Sequence, residues 1–173
     1  MAGDAAPMHT KRAPLWDLPI RLFHWSLPVL LVTAWISAEF DALDVHEWCG
    51  YTVLVLVAFR IVWGFIGSRH ARFSDFVRSP AAAIRYLRGG EPEREGHNPA
   101  GAWSVIGMLL LLLAQATTGL FNSDDVSFEG PLVRALDRDI VDALAAWHEP
   151  NLWLLLTLGT PHICTVLFYL VRR

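Results

Sequence analysis

Cysteine is scarce in this sequence, and the two that occur exclude the usual covalent devices. Cys49 belongs at the outer end of one apolar block and Cys164 deep in another, so a disulfide between them is not expected. No Cys-x-x-Cys-His run occurs, which rules out a covalently attached c-type haem. Both cysteines read as small apolar packing residues. Internal repeats and low-complexity tracts are also missing. A cleavable signal peptide is not expected either, because the first apolar block is longer than a typical signal core and reads as a retained anchor. With a formal net charge of −3, nothing points to nucleic acid as a partner.

The apolar residues that are present lie in long blocks rather than scattered. A chain of 173 residues suits one domain, and 54% hydrophobic residues is only slightly above a globular average. Their distribution is what decides the class. Four blocks, at about 20–38, 47–66, 103–121 and 151–171, approach the roughly 20 residues that cross a bilayer as helix. Lipid cannot satisfy backbone hydrogen bonds, so each block is expected to be helical. The fold class is therefore all-α and integral to the membrane. Residues 1–14 form a flexible cytoplasmic tail, and residues 15–173 a bundle of four transmembrane helices.

Basic residues orient the bundle. With the amino terminus inside, the inner segments carry twelve of the fourteen lysines and arginines, and the outer loops only Arg134 and Arg138. This positive-inside bias puts both termini in the cytoplasm. Short interfacial helices are expected in the two long loops. Residues 74–88 mix Phe76, Val77, Ile84, Tyr86 and Leu87 with arginines, as a helix on the membrane surface does. Leu132, Leu136, Ile140 and Leu144 recur every four residues and predict a short helix over the outer mouth.

Seven histidines divide into two groups. His9, His70 and His97 fall in the tail or the inner loop, whereas His24, His46, His148 and His162 fall in or at the ends of membrane helices. Ionisable groups at membrane depth are costly and usually functional. His148 and His162 are fourteen residues apart, close to four turns, so they share a helix face at levels about 21 Å apart. His46 opens the second helix at the level where His148 opens the fourth. His24 lies fifteen residues before Glu39, at about the depth of His162. Two pairs result, His46 with His148 outside and His24 with His162 towards the cytoplasm. Facing imidazoles are a natural axial pair for haem iron, and filling both axial positions favours electron transfer over oxygen chemistry. Zinc prefers four ligands, and each level offers two. Trp25, Trp35, Trp48, Trp147 and Trp153 are available as walls, although each taken singly reads as lipid-facing or interfacial.

The run Trp16-Asp17-Leu18-Pro19-Ile20-Arg21-Leu22-Phe23-His24-Trp25 resembles the opening of bacterial cytochrome b561 proteins and the related cytochrome b subunits of nickel–iron hydrogenases. His46-Glu47-Trp48-Cys49-Gly50, Gly96-His97-Asn98-Pro99-Ala100-Gly101-Ala102, and Trp147-His148-Glu149 with His162 fourteen residues on follow in the same order. The resemblance implies a cytochrome b with two haem b groups in a bacterial inner membrane, ligated by His24, His46, His148 and His162. It also implies exchange with a quinone such as ubiquinone or menaquinone, and a partner such as a c-type cytochrome, a hydrogenase or a dehydrogenase. Some similar proteins oxidise superoxide. Pro161 departs from the pattern; it removes a helical hydrogen bond beside His162 and should bend the helix.

Secondary features remain open at this level. Arg21 and Arg60 suit either haem propionates or the headgroup region. His97 and Asn98 suit a quinone or proton-transfer site, or simply a loop cap. Gln115, Thr117, Thr118 and Gly119, on the helix without a histidine, read as packing and interhelical hydrogen bonding. Eleven carboxylates face two arginines on the outer segments, which would attract a basic electron carrier or merely follow from topology. Three functions therefore stand: an electron-transfer subunit, a superoxide:quinone oxidoreductase, and a non-redox metal-binding membrane protein.

Overall fold

In the computed structural model, residues 17–89, 98–123 and 128–171 are described. The expected tail at 1–14, His9 and His97 lie outside them.

Four long helices account for the four apolar blocks. The first, α1 (Leu18–Glu39), begins at Asp17, whose carboxylate accepts the Ile20 N–H at 3.0 Å, with Pro19 in the first turn, where a missing N–H costs nothing. It ends in a three-residue turn closed by Ala42 N–H to the Ser37 carbonyl. Asp41 adopts φ 56° there, a left-handed conformation that aspartate tolerates better than most residues. Such a short turn makes α2 (Leu43–Ile66) an antiparallel neighbour of α1.

Among its described residues the inner loop holds two short α-helices where one was expected. They are α3 (Phe73–Phe76) and α4 (Pro80–Leu87). Residues 77–79 between them are not helical because Pro80 disfavours helical geometry at Ser79, and Ser79 instead caps α4 through the Ala82 N–H. The buried faces of Ala82 and Ala83 let α4 dock on α5 (Pro99–Gly119), and Trp103 Nε1 donates to the Arg78 carbonyl at 3.0 Å.

The largest difference concerns the last helix. Rather than a loop helix followed by a membrane helix from residue 151, a single helix α6 runs Arg138–Val171, through both Pro150 and Pro161. The apolar face anticipated across Leu132 and Leu144 is divided: Val133 sits in a 3₁₀ turn, Leu136 is extended, and α6 starts only afterwards. Val133 and Val141 are buried, whereas Leu132, Leu136 and Ile140 are exposed.

Packing runs in sequence, α1 on α2, α2 on α5, and α5 on α6. The centre is Val53, Val57, Leu112, Ala116 and Leu155, with Val57 wholly enclosed. By contrast, α6 makes at most sparse backbone contact with α1 and α2. Only 11% of the most apolar stretch of α6 is buried, and Trp25 on α1 is 75% exposed. Apolar surface on that scale is stable only against lipid or a large apolar ligand.

Candidate functional site

The site is built where α6 faces α1 and α2. At the outer level, the His46 ring of α2 and the His148 ring of α6 have centroids 6.0 Å apart, at an interplanar angle of 70°. His46 Nδ1 lies 2.8 Å from the Ala34 carbonyl of α1. A carbonyl can only accept, so Nδ1 carries the proton and Nε2 presents its lone pair.

His148 is oriented from α5. Its Nδ1 is 3.1 Å from Thr118 Oγ1, and the Thr118 hydroxyl points its own proton at the Ala114 carbonyl 2.8 Å away. The hydroxyl therefore accepts from Nδ1–H, which again leaves Nε2 unprotonated. The Gln115 amide nitrogen is 3.1 Å from His148 Nε2. Asn151 Nδ2 holds that amide in place by donating to Gln115 Oε1 at 2.6 Å and to the Leu111 carbonyl at 2.9 Å. Gly119 completes the cradle, since a Cβ there would stand 3.2 Å from His148 Cε1.

Packing and interhelical hydrogen bonding, the roles expected of these α5 residues, are what Gln115, Thr118 and Gly119 show, with His148 as the partner. Thr117 bonds to the Leu113 and Ala114 carbonyls of its own helix. Gln115, Thr118 and Gly119 instead form one face against His148. Their spacing of three and four residues is the signal that could have joined them.

At the inner level, His24 on α1 donates Nδ1–H to the Ile20 carbonyl at 2.8 Å, one helical turn back. His162 on α6 is half-buried and within electrostatic reach of His24 across the bundle. Arg60 of α2 is the third member of this level. It is 5% exposed, lies under the Phe73 ring at 5.1 Å, and interacts with both Asp17 and His24. Burial of this degree excludes headgroup snorkelling for Arg60, while Arg21 is exposed. Asp17 ties the inner mouth together, accepting from Trp63 Nε1 at 3.0 Å and Ser68 Oγ at 2.5 Å.

The remaining candidates are accounted for by local structure. His70 is exposed beside Asp75 at 3.4 Å, and Asn98 caps α5 by accepting the Gly101 N–H at 2.6 Å. Cys49 and Cys164 are both free thiols. On the outer face, Arg134 forms a two-pronged pair with Glu129 at 2.7 and 3.0 Å, and Arg138 pairs with Asp142 at 3.0 Å. The hydrogen bond from Arg134 holds the Glu129 carboxyl below its usual range.

These residues fit a bis-imidazole haem. Metal–imidazole bonds of about 2 Å place two axial rings about 6 Å apart between centres, which is the outer pair's separation. Each tautomer that the hydrogen bonds define puts the proton on Nδ1 and leaves Nε2 unprotonated, as a metal-ligating histidine needs; at His148 the Gln115 amide donates to that nitrogen and would have to yield to a metal. The loosely packed boundary of α6 with α1 and α2 suits a flat apolar ring. No group of three or more histidine, cysteine or acidic side chains that could hold a bare metal ion exists among the described residues.

A family model described as prokaryotic cytochrome b561 matches residues 15–173. No curated protein and no solved structure matches the chain.

Proposed function

The chain belongs to the prokaryotic cytochrome b561 family, multi-pass membrane b-type cytochromes of electron transfer, and from that premise we propose that it holds two haem b groups and relays electrons across a bacterial inner membrane. His46 and His148 hold the outer haem, and His24 and His162 the inner one. Haem b held by these residues would supply reversible one-electron chemistry. The electrons pass between the quinone pool and a protein partner such as a c-type cytochrome, a hydrogenase or a dehydrogenase.

The chain's own residues supply orientation and insulation. Ala34, Thr118 and Ile20 each accept an Nδ1–H and so hold His46, His148 and His24 with Nε2 unprotonated; at His148 the Gln115 amide would give way to the iron. Gln115 and Asn151 fix the face of α5 from which His148 is addressed. The observation that carries this reading is the outer pair, 6.0 Å apart between ring centres, with both Nδ1 atoms already anchored.

The electrostatics of the outer face favour a basic protein partner over superoxide. Both arginines that could form a positive mouth for an anion are paired with carboxylates. Attraction between an acidic face and a basic c-type cytochrome should weaken with salt, as charge-steered association does.

A reduced-minus-oxidised spectrum with haem analysis of the purified protein tests the proposal. Two haem b per chain, reduced by a quinol and reoxidised by a c-type cytochrome at a rate that falls with salt, is the expected result. Absence of haem b overturns it. Reduction by superoxide in stopped-flow mixing at a rate exceeding that with quinol would favour the oxidoreductase reading instead.

A further inference from the structure

On α2, Arg60 follows His46 by fourteen residues, the same four-turn step that separates His148 from His162 on α6. Both helices run inward from their outer histidine. Arg60 is therefore carried on the His46 face of α2 to the level of His162, about 21 Å below the outer pair. Where α2 contributes a ligand at the outer level, it contributes a cation at the inner level.

That cation is held tightly and incompletely matched. Arg60 is nine-tenths or more buried, and its Nη1 is enclosed with no hydrogen-bond partner among the described residues. A guanidinium keeps its charge in proteins, so Arg60 places a fixed cation at this depth with donor capacity to spare. Phe73 covers it with its ring face, a cation–π contact that shields the charge from water. Gly64 makes the seat for that ring, since a Cβ there would run into it. Asp17 offsets the charge only from the mouth of the bundle. At the outer level, the buried polar residues near the histidines, Thr118 and Asn151, are neutral.

We infer that Arg60 sets the inner haem at a higher reduction potential than the outer one, which makes transfer from the outer to the inner level the downhill direction. This rests on the two-haem reading above. Oxidation of a bis-histidine haem adds one positive charge at the iron, and a fixed cation in a low-dielectric site opposes it. Arg60 acts by its field and is a positioning charge, not a ligand.

Redox titration of the purified holoprotein, followed by optical and EPR spectra, tests this with R60Q and R60M. Both substitutions remove the charge, and R60K retains it. The inner haem is identified as the one lost in H162A. In R60Q and R60M its reduced-to-oxidised ratio at a fixed potential should fall about tenfold, the scale of a unit charge acting across a helix diameter of about 10 Å. The outer haem should be unmoved, and R60K should stay near the parent. Two haems per chain with an unshifted inner potential overturns the role of Arg60 and leaves the two-haem reading intact. No haem in the parent protein overturns that reading first. If neither neutral variant keeps both haems, D17N decides: removing the offsetting carboxylate raises the inner potential, and an unchanged or lower value overturns the inference.

Discussion

Thr118 of α5 accepts the Nδ1–H of His148 of α6 across 3.1 Å, and this one contact determines which ring nitrogen of the outer histidine carries the proton. The proton of the hydroxyl itself is engaged by the Ala114 carbonyl, so the direction of the bond is settled by its neighbours. The long helix without a histidine thus sets the tautomer of a histidine on its neighbour.

Replacing Thr118 by Val removes that acceptor while keeping the shape. Loss of such a partner to a metal-bound histidine typically costs 10- to 100-fold in affinity. T118V should release the outer haem to a competing apo-globin about 10-fold faster or more, whereas T118S should behave like the parent. Equal release rates for T118V and the parent would remove Thr118 from the account.

Gly119 should tolerate Ala but nothing larger. Its Cβ would stand 3.2 Å from His148 Cε1, a contact the ring can relieve by a few tenths of an ångström. G119A should keep both haems. G119L should displace the ring and lose the outer haem while the inner one stays, as haem analysis of the purified variant would show.

Much of this was legible from the residues. Four spans follow from block length, and the meeting of His46 with His148 follows from the level the two residues share. The course of α6 was not, because Pro150 reads as a boundary. Within a membrane helix, neighbouring groups satisfy the carbonyl that proline frees, and the helix continues. Residues 74–88 look like one helix by their apolar content, and it is the local effect of Pro80 that divides them. The cradle around His148 stayed hidden for another reason. Hydropathy cannot say which face of α5, a helix with neighbours on two sides, meets a polar ring, and Gln115 and Thr118 look the same from either.

Asp17 gives the inner mouth a pH-dependent stability. Burial pushes its carboxyl up, but hydrogen bonds from Ser68, the Ile20 N–H and Trp63, together with the charge of Arg60, outweigh burial and hold it below its ordinary value of 3.8. A carboxyl lowered on folding stabilises the fold fully above its unfolded value and loses that contribution as the pH falls through the folded one. D17A should cost about 1–2 kcal/mol at neutral pH from the lost cap alone. The thermal midpoints of D17A and the parent should converge below pH 3.8. A difference that does not shrink on acidification would show that the carboxylate's charge is not involved.

The central claim is that the four histidines form two separate haem sites stacked on one face of α6, and haem analysis with redox titration of H148A and H162A tests it most directly. Two haem b per chain are expected in the parent. Each variant should retain one, with H148A and H162A losing spectroscopically different haems. A parent with a single haem, or two variants that lose the same one, would contradict the account.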